Sequence, residues 1–183
     1  MLVFTTISEK LFSQVGGSGT TNYIPKWTAS TTLGDSIIYE SSSKIGIGTT
    51  SPNYLLHQYI GSASANYHQF GNSTTGSGSA DGVLVGIDAS GNLAITQQEQ
   101  LAILFSTHNG TSVGERMRLN NAGNLGIGLT SPTRQLHQHI ATASTANYHQ
   151  ITNNTTGSSS TDGLLIGLDA SGNGAITQQE QLP

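Results

Sequence analysis

The sequence contains no cysteine, so neither a disulfide nor a thiolate-held metal contributes to its stability. Charge is scarce as well: 9% of the 183 residues are Asp, Glu, Lys or Arg, where soluble domains typically carry roughly 25%. The six Lys and Arg form no cluster and the net charge is −4, which argues against nucleic acid or an anionic membrane as partner. No apolar run approaches the roughly 20 residues that cross a bilayer, and the start MLVFTTISEK lacks the basic region and apolar core of a secretory signal. Catalytic signatures are missing too. No G-x-S-x-G elbow joins a strand to a helix, and Glu99 and Glu180 are the lone acids of their QQEQ segments, so no local carboxylate pair suits glycoside hydrolysis. The expectation is a chain that is not an enzyme and has no catalytic residues and no cofactor.

What the sequence does contain, it contains twice. Residues 44–60, KIGIGTTSPNYLLHQYI, return as residues 124–140, NLGIGLTSPTRQLHQHI, at an offset of 80. Residues 66–101 return as 147–182 at an offset of 81, with 27 of 36 positions identical. A long-period repeat is the mark of an array whose units stack on their neighbours. The extra residue falls between Gly61–Ala65 and Ala141–Ala146. An insertion inside a paired strand would turn every later side chain to the other face, so this stretch reads as a loop.

Polarity comes from Ser, Thr, Asn, Gln and Gly, interrupted by β-prone runs such as VLVGI, LLIGL and LAILF. This predicts an all-β, elongated and repetitive fold of short strands joined by Gly, Ser and Asn turns. The organisation reads as a leader over 1–15, a Gly/Ser/Thr linker and entry segment over 16–43, module one over 44–123 and module two, incomplete at its end, over 124–183. VLVGI and LAIT flank DASGN, which predicts a hairpin closed by Asx and Gly turn chemistry. Glu115–Asn120 alternates, placing Met117 and Leu119 toward a core and Arg116 and Arg118 toward water. In the Ile-Gly-Ile and Leu-Gly-Ile runs glycine leaves one face bare, suited to close backbone approach around a narrow shared axis or under a crossing strand. Such scattered apolar runs bury little within one chain and leave strand edges open, which an intertwined homotrimer would resolve. The expected interchain core is Ile45, Ile47, Val83, Val85, Ile87, Ile95, Ile103, Phe105, Met117, Leu119, Leu125 and Ile127, with their repeats.

The segments GIGTTSP at 46–52 and ERMRLNNAGNLGIGLTSP at 115–132, each followed shortly by Leu-His, resemble the shaft modules of bacteriophage tail fibres and tail spikes. The segments DGLLIGLDASGN, QQEQ and GGSGTTNYIPKWTASTTLGDSIIYE are similar to stretches of such fibre proteins. The resemblance implies a trimeric β-rich shaft, on a virion tail or otherwise extracellular, that presents a receptor-binding element to a host surface.

Two other functions keep their place beside it. An extracellular filament subunit could join head to tail: Met1-Leu-Val-Phe-Thr-Thr could supply, with one residue of slippage, the strand that follows QQEQ in module one, making Leu2, Phe4 and Leu182 candidate end-to-end contacts. A multivalent glycan-binding adhesin would use Tyr67, His68, Tyr148 and His149 of the repeated NYHQ, where aromatic rings can stack on a sugar. His137 and His139 share one side of a strand, and three parallel chains would gather six imidazoles, enough for a transition metal on the fibre axis. In module one the same positions are His57 and Tyr59, which weighs toward a solvent-facing or structural role.

Overall fold

A computed structural model describes residues 16, 17, 19–30 and 32–179. The fold is all-β: strands make up 46% of the described residues, and no helix occurs among them. Fifteen strands follow one another among the described residues, opened by the two-residue β1, Gly16–Gly17. Next come β2 (Tyr23–Ala29), β3 (Thr32–Ser41), β4 (Lys44–Ile47), β5 (Leu56–Gln58), β6 (Asn66–Phe70), β7 (Val83–Ile87) and β8 (Leu93–Gln97). The remainder are β9 (Ile103–His108), β10 (Val113–Leu119), β11 (Leu125–Ile127), β12 (Leu136–Gln138), β13 (Asn147–Ile151), β14 (Leu164–Leu168) and β15 (Gly174–Gln178). By its internal contacts the chain divides into two compact units, residues 1–70 with 84–96, and residues 71–83 with 97–183.

The repeat of the sequence is a repeat of strands. In β2 to β5, a hairpin is followed by a strand antiparallel to it and then by a short parallel strand. The same order recurs in β9 to β12. Each run is followed by a three-stranded sheet, β6-β7-β8 and β13-β14-β15. The structural period therefore takes in the hairpins that precede the GIG strands. Residues 23–41, which read as entry segment in sequence, form a hairpin whose second strand pairs Ile38 with Ile47, as Met117 pairs with Ile127 later. Sequence identity misses this equivalence because a hairpin needs only alternation and a turn, which YIPKWTASTTLGDSIIYES and ILFSTHNGTSVGERMRL meet with different residues. The inserted residue lies between β12 and β13, outside any strand.

Turns are closed by Asn and Asp side chains acting locally. Asp88 Oδ1 accepts from the N–H of Ser90 and Asn92, and Asp169 does the same for Ser171 and Asn173, closing the DASGN hairpins as expected. Asn72, Asn109, Asn120 and Asn153 accept pairs of N–H groups in the same way.

Glycine in the GIG strands has a specific steric reason. A Cβ on Gly46 would strike the Thr49 carbonyl, and one on Gly126 would press on the Leu129 carbonyl and the Pro132 ring. The bare glycine face is thus filled by the chain's own TTSP or LTSP loop, whose Pro52 and Pro132 are buried. The covering element is a loop of the same chain rather than the crossing strand expected from sequence. Gly48 and Gly128, at φ of 75° and 77°, lie where a side chain would meet the carbonyls of Tyr59 and His139.

Two strands depart from simple alternation: β2 shifts register against β3 between Tyr23 and Pro25 and between Trp27 and Ala29, and β10 does so against β9. Between Glu115 and Met117, β10 carries a bulge against β9, so Glu115 lands on the same side as Arg118. The pair forms two charge-assisted hydrogen bonds of 2.6 and 2.7 Å. Arg118 is therefore a paired and largely covered side chain, 21% exposed, rather than a water-facing one, and the guanidinium holds the Glu115 carboxyl below its ordinary range.

Candidate functional site

Cross-strand register sorts the apolar residues onto single faces. In the four-stranded sheet, Leu136, Leu125, Leu119 and Ile103 form one row, and Gln138, Ile127, Met117 and Phe105 the next. Side chains alternate along a strand, so both rows share a face, while His137, Gly126, Arg118 and Leu104 occupy the other. The loop 129–132 covers the second face. No described residue closes the first: Leu136, Phe105, Leu119 and Ile127 are 37–52% exposed. The corresponding rows of the first run are Gln58, Ile47 and Ile38, and Leu56, Ile45 and Glu40.

The three-stranded sheets show the same asymmetry. In β13-β14-β15 one face carries Tyr148, Gly167, Ala175, Gln150, Leu165 and Thr177. The loop 152–163 closes it, because Gln150 Nε2 donates to the carbonyls of Ser159 and Asp162, and Leu165 beneath is 8% exposed. Among the described residues Leu165 is the one buried hydrophobic side chain. The opposite face presents Ile151, Ile166, Leu168 and Ile176 to solvent, as Phe70, Val85, Ile87, Leu93 and Ile95 are presented in the first run.

Every residue expected to form an interchain core lies on one of these faces. The faces have apolar cover on one side only.

The NYHQ residues are separated by the pleat. Tyr148 lies opposite Gly167 on the closed face, whereas His149 lies opposite Ile166 on the open one. Tyr67 is likewise half-buried and His68 exposed. A Tyr and its neighbouring His therefore project from opposite sides of the strand, and no shared sugar clamp forms within either pair.

His137 takes a structural part. Its Nδ1 accepts from the Thr133 N–H at 3.3 Å, and in the first repeat His57 Nδ1 accepts from the Asn53 N–H at 3.4 Å. The neutral ring then carries its proton on Nε2, which stays free of this turn. His139 lies just past β12 and borders, with His137, an open cavity of about 660 Å³ that also meets Asn147, Leu168 and Asp169. Among the described residues no three His, Cys, Asp or Glu side chains are placed to hold a metal ion. The end-to-end residues Leu2, Phe4 and Leu182 lie outside the described residues.

The DASGN turns give the molecule an acid-sensitive element. Hydrogen bonds from Asn92 hold the Asp88 carboxyl below its ordinary value, and those from Asn173 do so for Asp169. A carboxyl whose folded value lies below its unfolded one stabilises the fold above the unfolded value, about 3.9 for Asp, and that contribution is lost as pH falls through the folded value. The thermal midpoint is expected to fall on acidification below about pH 4. In Asp88→Asn with Asp169→Asn that slope should be shallower; an unchanged slope would assign the acid sensitivity elsewhere.

No protein-family model matches the chain, and no curated protein matches it.

Proposed function

We propose that this chain is a non-enzymatic structural segment of a fibre shaft, a homotrimer that holds a receptor-binding element away from its base, on a phage tail. The observation that carries the reading is the one-sidedness of the sheets: own-chain loops close one face of the β2 to β5, β9 to β12 and β13 to β15 sheets, and the opposite faces expose aliphatic side chains. A chain with one buried hydrophobic side chain among its described residues needs copies of itself to make a core. The GIGTTSP and GIGLTSP loops point toward phage fibres because the residues that carry that resemblance are those that build the covering loops. Host-surface contact belongs in this reading to the element the shaft carries, and the setting is the virion tail, outside the cell.

Electron microscopy of the purified chain in negative stain tests it. Discrete rods of uniform short length are the expected result. Filaments of unlimited length would favour a head-to-tail subunit instead, and compact particles would overturn the shaft.

A further inference from the structure

The tip of the β9-β10 hairpin holds a nucleophile, a base and an oxyanion site together. His108 pairs with Val113, and the residues between them are closed by the Asn109 N–H, which donates to the Ser112 carbonyl at 3.1 Å. The Gly110 N–H donates to His108 Nδ1 at 2.9 Å, so a neutral imidazole faces the backbone nitrogen that can attack the Asn109 carboxamide and close a five-membered ring. Asn109 Oδ1 accepts from the N–H groups of Thr111 and Ser112, both at 2.9 Å, which polarises that carboxamide and holds the oxygen on which charge would develop. Gly110 has a φ of 95° with nothing within 4 Å of its missing Cβ, and the turn is exposed, so water reaches it.

We propose that Asn109 is a self-modifying residue, converted by its own turn to aspartate and isoaspartate through a cyclic imide. The Gly110 nitrogen bonds to Asn109 Cγ as its proton passes to His108 Nδ1, and the Thr111 and Ser112 N–H groups stabilise the tetrahedral oxyanion. The Cγ–Nδ2 bond then breaks, the imidazolium gives the proton to Nδ2, and ammonia leaves. Water opens the imide at either carbonyl, and nothing is oxidised or reduced. Aspartate adds a negative charge to the tip. Isoaspartate also lengthens the main chain by a methylene at the residue whose N–H closes the turn. Every atom involved belongs to one hairpin, so the step does not depend on the assembly of copies.

The chain supplies its own comparisons. A second Asn-Gly occurs at Asn173-Gly174, where Asn173 Nδ2 donates to Asp169 Oδ2 at 3.3 Å and the nitrogen that would leave is tied down. Asn72, Asn120 and Asn153 make the same paired Oδ1 contacts as Asn109, but Ser73, Asn121 and Asn154 follow them, with side chains where Gly110 has none. His57 and His137 accept from N–H groups of residues that follow proline, not asparagine.

Peptide mass spectrometry of the full-length chain, aged at neutral pH, tests the site. Asn109 should convert at least about tenfold faster than Asn173, and His108→Gln, which keeps an acceptor but cannot carry the proton, should slow Asn109 by about tenfold or more. The parent's rate should level off above neutral pH, where imidazoles are already unprotonated, while the variant's keeps rising with hydroxide. In urea the rates at Asn109 and Asn173 should converge. Conversion at Asn109 no faster than at Asn173 in the folded chain would overturn the site. A rate and pH profile unchanged in His108→Gln would overturn the imidazole's part, and a rate difference that survives in urea would overturn the turn geometry as its cause.

Discussion

Ile127→Asp is expected to abolish assembly. Ile127 lies between Gln138 and Met117 on the open face of the four-stranded sheet and is 37% exposed in the single chain. In an isolated chain an aspartate there keeps its water and costs about 1 kcal/mol, as other partly exposed substitutions do. Covered by neighbouring copies, the same carboxylate loses its water among rows of Leu, Ile, Met, Phe and Gln, while Arg116 on this face is engaged with Thr107. The penalty is then several kcal/mol per ion and on the order of 10 kcal/mol for three chains. At 1.4 kcal/mol per tenfold, that displaces the association midpoint by many orders of magnitude. Sedimentation velocity at micromolar concentration should show the parent as an oligomer and the variant as a single chain. A variant that sediments with the parent would place this face outside any contact.

The second large effect is expected at Gly48 and Gly128. Each has a left-handed φ, which disfavours side chains by roughly 1–2 kcal/mol, and each faces a carbonyl of the strand it adjoins. Valine at either position would push β4 from the Tyr59 end of β5, or β11 from the His139 end of β12. The hydrogen bonds at stake are Tyr59 N–H to the Ile47 carbonyl and His139 N–H to the Ile127 carbonyl, both 2.9 Å. Losing the short parallel strand together with the backbone strain should cost about 4 kcal/mol or more, enough to prevent folding of a marginally stable chain. Gly91 and Gly123 are the internal control. Their φ values of 88° and 80° are also left-handed, yet nothing lies within 4 Å of the missing Cβ. Alanine there should cost about 1 kcal/mol through backbone conformation alone. Thermal melts of Gly128→Val and Gly123→Ala, read by far-ultraviolet circular dichroism, compare the two; equal losses would show that the Gly128 site has room the structure denies it.

Much of this fold can be read from residues because the chemistry is local. DASGN closes a hairpin in both repeats because Asp, Gly and Asn lie within a few residues of the N–H groups they satisfy. The loop between β12 and β13 follows from one inserted residue, since strand pairing does not tolerate a slip. The hairpins of β2-β3 and β9-β10 are equivalent in structure and dissimilar in sequence, because alternation accepts many side chains. The bulge at Arg116 leaves no mark in ERMRLN, whose alternation is clean, and it turns Arg118 from a solvent-facing charge into half of an ion pair.

At the level of the candidate site, the residues expected in a core were legible as a set because β-prone aliphatics mark themselves. Their grouping into faces required register. The histidines show the opposite case. A His-Gln-His spacing suggests a ligand pair, yet the first turn of each Leu-His strand uses the imidazole as an acceptor for a nearby N–H, a role that spacing alone does not distinguish. Tyr67 with His68 and Tyr148 with His149 look like adjacent contact residues in sequence, and the pleat sends them apart.

Light scattering of the purified chain across a range of concentrations tests the central claim most directly. The account predicts a mass of three chains of 19.0 kDa each, constant with dilution. A mass of one chain at every concentration would contradict it, because open apolar faces on both repeats would then persist in water without partners.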